Sequence, residues 1–333
     1  MTTDARWRPD VLGAGFEQLT LPLGSDDEGE VVATLVRHLP VESLAERVFG
    51  EHLFPDRRPL TDVDVLYVHG WSDYFFQARL ARFFAEQGAR FFALDLRKYG
   101  RSLRPGQTPG YITDLDDYDE DIAAALEAMQ RGDRRLVLLG HSTGGLTLSL
   151  WASRHPGVAE AVILNSPWLE FQVGAVGRQA LTPIVNARAR FDPYGSHPVV
   201  DLGFYTRAQR EVGSLPDSPE GWRPPQGFPT HPAWLAAILE GHRRVALGVD
   251  VGAPALVLLS ARSILAASWN PEMTEVDSVL VVDDIARRAT RIAETVTIAR
   301  IDGALHDVFL SRPRPRERAY AELERFARSV LER

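Results

Sequence analysis

Cysteine is missing from all 333 residues. With it go disulfides, thiolate metal sites and a thiol nucleophile. No apolar run reaches membrane-spanning length either. The opening residues, MTTDARWRPD, carry no apolar segment, so no secretory signal is expected and the cytoplasm is the default compartment. Basic charge is not in excess: 37 Lys+Arg are interspersed with 45 Asp+Glu, for a net charge of −8. Such a balance argues against a nucleic-acid partner, and without a spanning run no stable membrane insertion is expected. No His/Asp/Glu grouping has metal-ligand spacing and no phosphate loop occurs, so no metal and no cofactor are expected. Repeats and low-complexity segments are absent too. Nothing in the chain sets its oligomeric state.

What is present is a hydrophobic share of 45%, enough to bury a large core in one α/β domain with an insertion, or in two domains. The most informative stretch is Leu136 to Leu150, LVLLGHSTGGLTLSL. A strand-length apolar run, Leu136–Leu139, meets Gly140-His141-Ser142-Thr143-Gly144, a match to G-x-S-x-G. Leu146, Leu148, Leu150 and Trp151 follow with no breaker until Pro156. Strand, sharp turn and helix are the context this motif requires. Glycines on both sides of Ser142 permit a tight turn in which one side chain is strained and exposed beside a helix N-terminus. The motif in this context resembles the α/β-hydrolase superfamily, and G-H-S-x-G-G is most similar to its lysophospholipase and monoacylglycerol-lipase-like branch.

The rest of the chain reads as alternating strands and helices. Phe16–Leu21 and Val31–His38 predict two antiparallel strands around the polar turn 24–29. Residues 41–62 read as helix then loop. Val63–Val68 is a buried strand ending in His69-Gly70-Trp71. A helix is expected over Tyr74–Gln87, a strand at Phe91–Leu94 closed by Asp95, a helix over Tyr118–Met129, and a strand at Ala161–Leu164 before Asn165. Strands at Pro254–Leu259 and Val296–Ile301, a helix Ile285–Glu294 capped by Asp283, and a terminal helix Arg316–Leu331 complete the pattern. This alternation predicts a mostly parallel sheet with helices on both faces, its ligand site at the carboxyl ends of the strands. His69, Asp95, Ser142 and Asn165 fall at those ends.

Residues 167 to 250 break the rhythm, and 215–232 are rich in Pro and Gly. Frequent aromatics here (Trp168, Phe171, Phe191, Tyr205, Trp222 and Trp234 among them) either pack the insertion or line a pocket. The resemblance implies an α/β-hydrolase core at 1–166 and 251–333, with 167–250 as the lid that shapes the acyl or alcohol pocket.

A serine hydroxyl needs a general base, and the base needs a carboxylate to fix its tautomer. The family orders these as Ser, acid, His. After residue 259 the chain holds one His, His306, in Asp302-Gly303-Ala304-Leu305-His306-Asp307. It is the expected base, against the alternative of a loop His that caps a helix. Glu272, Glu275, Asp277, Asp283 and Asp284 are the acid candidates, separated from the preceding strand by a long loop. Asp277-Ser278-Val279-Leu280-Val281 resembles the family's acid segment, so Asp277 is favoured, with Asp283 next. By the same resemblance the oxyanion hole takes backbone N–H groups from Thr143 and Trp71, with His69 and Gly70 shaping the turn. Gly140, His141 and Gly144 are read as support for the nucleophile. Asp95-Leu96-Arg97-Lys98-Tyr99-Gly100-Arg101-Ser102 resembles the family's Asp-x-Arg-Gly-x-Gly-x-Ser loop, with Lys98 in place of the first Gly, and is given no catalytic role.

The expectation is a serine hydrolase of a small-molecule carboxylic ester with an apolar acyl group. An aminopeptidase or amidase is the runner-up, although the iminopeptidase signature His-Gly-Gly-Pro-Gly is absent. A non-catalytic small-molecule binder under the same lid is the alternative from another class. Chain length of the acyl group and identity of the alcohol are not legible.

Overall fold

The computed structural model describes residues 6–39, 58–196 and 202–331. Its strands are β1 (Arg8–Pro9), β2 (Phe16–Asp26), β3 (Gly29–His38), β4 (Val63–Val68), β5 (Arg90–Asp95), β6 (Arg135–His141), β7 (Ala161–Asn165), β8 (Ala255–Ser260) and β9 (Val296–Ile301). The helices are α1 (Ala78–Glu86), α2 (Tyr118–Ala128), α3 (Thr143–Arg154), α4 (Gly174–Phe191), α5 (Phe204–Glu211), α6 (Pro232–Leu247), α7 (Val282–Ala289) and α8 (Pro313–Leu331). All nine strands form one sheet in the order β1-β2-β3-β5-β4-β6-β7-β8-β9. The pairs from β5 through β4 to β9 are parallel, and β1 to β3 join antiparallel at one edge.

Period-two alternation builds a core on each face. In β6, Leu136 and Leu138 point to one side, where they meet α2, α3, α6 and α7. Val137 and Leu139 point to the other, where α1 and α8 pack through Leu80, Phe84, Tyr320 and Leu323. Every residue of β4 and β8 is buried, as expected of central strands covered on both faces. Each fully buried Leu, Val or Phe contributes roughly 1.5–3 kcal/mol, so these two layers hold the strand ends, and the loops they carry, in place.

Several boundaries differ from the sequence reading for local reasons. The helix expected from Tyr74 begins at Ala78. Phe75 N–H donates to Asp95 Oδ1 and Phe76 N–H to Gln77 Oε1, so both amides are satisfied outside a helix. The helix expected at Ile285–Glu294 runs over Val282–Ala289 with Val281, not Asp283, at its N-cap. Asp283 sits exposed in the first turn and pairs with Arg300 at 2.6 Å. The terminal helix starts at Pro313 instead of Arg316, with proline in the first turn, where its missing N–H costs nothing. The first hairpin is longer than expected and turns at residues 27–28. The helix expected within 41–62 falls largely outside the described residues.

Between β7 and β8 the chain leaves the sheet for α4, α5 and α6. Glu170 ties this excursion to the core. It is buried and accepts from Arg178 of α4 and Arg288 of α7, at 2.7 and 2.8 Å. Burial is the largest single influence on the Glu170 carboxyl and pushes its pKa up, but these charge-assisted bonds together outweigh it and hold the carboxyl below its ordinary pKa. Beside them His242 of α6 is fully buried, donates through Nε2 to the Trp168 carbonyl (2.8 Å), and has its pKa pushed down to about 4 by burial. An unfolded chain takes up this proton near pH 6.5 and the folded one only near 4, so stability falls as pH drops through that window. The contribution is about 3 kcal/mol between pH 7 and 4. Urea midpoints should decline from pH 7 to 5, and His242→Gln should show a shallower decline.

Candidate active site

Ser142 is the hinge between β6 and α3. Its backbone sits at φ 51°, ψ −115°, a region that costs a non-glycine residue about 1–3 kcal/mol. The surroundings enforce it. The carbonyl of Ser142 accepts from Gly145, Leu146 and Trp168, and its N–H donates to the Asn165 carbonyl. The flanking glycines are required by close approach. A Cβ on Gly140 would lie 2.7 Å from the Gly144 oxygen, and one on Gly144 would lie 2.3 and 2.4 Å from the carbonyl oxygens of His69 and Val68. Those atoms are backbone and cannot swing away. Gly144→Ala should therefore destabilise by about 3 kcal/mol, read as a lowered urea midpoint or as insoluble protein.

The turn after β4 lies directly against this hinge: a Cβ on Gly70 would be 3.0 Å from Ser142 Cβ. His69 shapes the turn from within. Leu96 N–H donates to its Nε2 (3.1 Å), so Nδ1 carries the proton and donates to the Gly70 carbonyl (2.8 Å). With both nitrogens committed to backbone and burial lowering its pKa, His69 is a neutral structural group. Ser72 takes φ +52°. The Trp71 ring packs on Trp234 of α6 at 3.8 Å and edge-on to Tyr99 and Phe228, so the insertion reaches down onto the turn. Thr143 is the first residue of α3, where backbone N–H groups have no carbonyl partner within the helix.

His306 follows β9 and is buried. Its Nδ1 lies 2.8 Å from Asp277 Oδ2. The other carboxylate oxygen, Oδ1, accepts from the N–H groups of Val279 (2.7 Å) and Leu280 (2.8 Å). An acceptor-only carboxylate held this way fixes the imidazole with its proton on Nδ1 and leaves Nε2 as a base. The long loop after β8 does not carry Asp277 away. Its ends pair with each other: Asp277 N–H donates to the Arg262 carbonyl and Ile264 N–H to the Asp277 carbonyl. The intervening residues bulge outward, and Asp277 returns to the carboxyl end of β8. The His306 ring lies 5.0 Å from that of His141, the residue before Ser142. His141 itself donates from Nδ1 to the Asn165 carbonyl, and burial lowers its pKa.

The Asp95 loop is a brace. Asp95 accepts from Phe75, from the Arg101 backbone and from its guanidinium, and Arg101 in turn grips Asp10, all buried. Lys98 does stand where the resemblance has Gly. Its backbone is left-handed (φ +62°), and its ammonium is held by Asp26 and Glu28 at 2.6 Å each.

The sequence reading passed over a second polar group on the far side of His306. Asp307 Oδ1 accepts from Asn165 Nδ2 and Oδ2 from Gln77 Nε2, while Asp307 N–H donates to the Tyr205 hydroxyl. Tyr205 stands edge-on to His306, ring centroids 5.4 Å apart. Arg223 lies over the Tyr205 ring and binds Asp73 and Gln209. Asp307 beside His306, and Asn165 at a strand end, were the only traces of this group in the sequence. Among the described residues no cluster of three or more metal-ligating side chains occurs, and no helix is long and apolar enough to cross a membrane.

A family model described as serine aminopeptidase, S33, matches residues 61–220. A bifunctional esterase/perhydrolase of Acinetobacter calcoaceticus is 35% identical over 106 residues, 31% of this chain and 36% of that protein. Lysophospholipase L2 of Escherichia coli (strain K12) is 38% identical over 78 residues, 22% of this chain and 23% of that protein. The matched segments thus span about a third or less of these relatives' own length. A solved structure of a soluble variant of Saccharomyces cerevisiae monoglyceride lipase superposes with a TM-score of 0.60 at 14% identity, covering 93% of this chain and 96% of that one. The chain has the α/β-hydrolase fold, and its residues 61–220 are similar to the serine aminopeptidase, S33 family.

Proposed function

We propose that this chain is a serine hydrolase of carboxylic esters, with Ser142 as nucleophile, His306 as general base and Asp277 as its orienting acid. His306 Nε2 takes the Ser142 proton as Oγ attacks the ester carbonyl. The tetrahedral oxyanion is received by the N–H groups of Thr143 and Trp71, each such donor worth about 3 kcal/mol of barrier. His306 then returns the proton to the leaving alcohol, and water, activated by the same imidazole, releases the acyl enzyme. No cofactor enters this sequence. Residues 167–250 serve as the lid: Trp234 rests on the oxyanion turn, and Ser142 is only 7% exposed beneath it.

The observation that carries this reading is a serine held at φ 51° on a helix N-terminus, with an imidazole 5.0 Å from the ring of the preceding residue, His141, and committed through Nδ1 to a buried carboxylate. Esters are favoured over amides because the cover is aromatic: Trp71, Tyr99, Trp168, Phe228 and Trp234 form one packed group. Purified protein should react with a fluorophosphonate probe and turn over p-nitrophenyl esters in a panel from acetate to palmitate. Turnover of aminoacyl anilides in preference to esters would move the assignment to an aminopeptidase or amidase. No labelling, under conditions that label a control esterase, would make the chain a binder.

A further inference from the structure

The imidazole of His306 is held by more than its carboxylate. Asp277 Oδ2 pins Nδ1 at 2.8 Å, but one hydrogen bond fixes one ring atom. With Cβ set by the backbone and Nδ1 by the carboxylate, the ring can still tilt about the line that joins them. That tilt sweeps Nε2 sideways. Two further rings stand against the imidazole: His141 at 5.0 Å and Tyr205 at 5.4 Å between centroids, the latter edge-on at 85°. His141 is the last residue of β6 in the sheet. Tyr205 comes from α5, in the insertion between β7 and β8.

Tyr205 meets the His306–Asp307 segment twice. Its ring stands against the His306 side chain, and its hydroxyl accepts from the Asp307 N–H at 3.1 Å. The Asp307 carboxylate is fixed in turn by Asn165 and Gln77, so the hydroxyl is anchored to a rigid point. Two other sets of contacts seat α5. Gln209 accepts from Arg223, which also donates to Asp73 and lies over the Tyr205 ring. Phe204 and Arg207 pack on Trp269, with the Phe204 centroid 6.0 Å and the Arg207 guanidinium 4.1 Å from the indole.

Trp269 lies in the long loop between β8 and Asp277, whose ends pair at Arg262, Ile264 and Asp277. One loop thus delivers a carboxylate to the imidazole and, through α5, seats the tyrosine that stands against it. The length of this loop then has a use beyond spanning two points. We infer, on the triad reading above, that Tyr205 is a positioning residue for His306 that holds Nε2 toward Ser142, and that Trp269 sets Tyr205 in place by seating α5. The general base is complete only while this helix of the insertion is docked. A ring that merely fills space would cost stability when removed. A ring that positions the base costs rate at every active site, because catalytic geometry tolerates little displacement.

The two roles separate when p-nitrophenyl butyrate kinetics are combined with a count of active sites by fluorophosphonate titration on the intact protein. Tyr205→Ala should have kcat per titrated site reduced about ten- to hundredfold, the cost of displacing a reacting atom by on the order of 1 Å. Its KM should stay within about twofold, since the loss lies in the chemical step. Tyr205→Phe keeps the ring and should recover to within about threefold of the native rate. Trp269→Ala should lower kcat per site about five- to tenfold, and adding it to Tyr205→Ala should cost less than about twofold more, because both act through one contact. A native rate per titrated site in Tyr205→Ala, with only the number of sites reduced, would make Tyr205 a filler and overturn its role. A loss in Tyr205→Phe as large as in Tyr205→Ala would overturn the ring as the restraint. Additive losses in the double variant would overturn the part given to Trp269. Native protein that neither labels nor turns over would bring down the triad reading itself, a result distinct from all of these.

Discussion

Ser142→Ala should lose ester turnover by about 10⁴-fold or more and all fluorophosphonate labelling, while the protein remains folded. The magnitude is that of removing a triad member, where residual catalysis comes from the oxyanion hole and binding alone. Folding should survive because the bonds that hold the hinge are made by backbone: the Ser142 N–H to Asn165, and its carbonyl to Gly145, Leu146 and Trp168. Alanine carries the same Cβ, so the strain of φ 51° stays. Ser142→Gly removes that strain and should raise the melting temperature by about 2 °C with the same loss of activity. Thermal scans of the two variants side by side separate a strained nucleophile from an ordinary turn serine. Labelling that persists in Ser142→Ala would end the triad assignment.

Asp277→Asn should reduce kcat by about 10⁴-fold at neutral pH, and Asp283→Asn should change it less than twofold. The contrast follows from geometry. Asp277 is fully buried, with one oxygen on His306 Nδ1 and the other on two backbone N–H groups. The asparagine amide would present either a donor to Nδ1–H or a donor to the two backbone N–H groups. The first orientation forces the imidazole proton onto Nε2, where it can no longer accept from Ser142. Asp283, in contrast, is exposed and pairs only with Arg300 among the described residues, an interaction worth at most about 1 kcal/mol to stability. Steady-state kinetics on the two variants with one p-nitrophenyl ester decides between the carboxylates. A fall of equal size in both would mean that the acid acts through the loop as a whole.

The strained turn at Ser142 was legible because it is local: six consecutive residues dictate strand, hinge and helix start, and the glycines answer contacts within a few residues or from the adjacent strand. The alternating fold was legible for a related reason, since a strand buried on both faces must be apolar throughout. His306 could be named from chain order, with only one histidine after residue 259. What the linear chain does not encode is where long loops return. Asp277 stands 17 residues beyond the end of β8, and only its backbone pairing with Arg262 and Ile264 brings it back to the strand end. A helix starts later than its sequence pattern where an amide finds a side-chain acceptor far along the chain, as at the start of α1: Phe75 N–H bonds Asp95 in place of a helical carbonyl. The Asp73–Arg223–Gln209 group lay beyond sequence reasoning altogether. Its members are separated by up to 150 residues, none belongs to a motif, and a buried donor without a partner is defined only once every neighbour has its place.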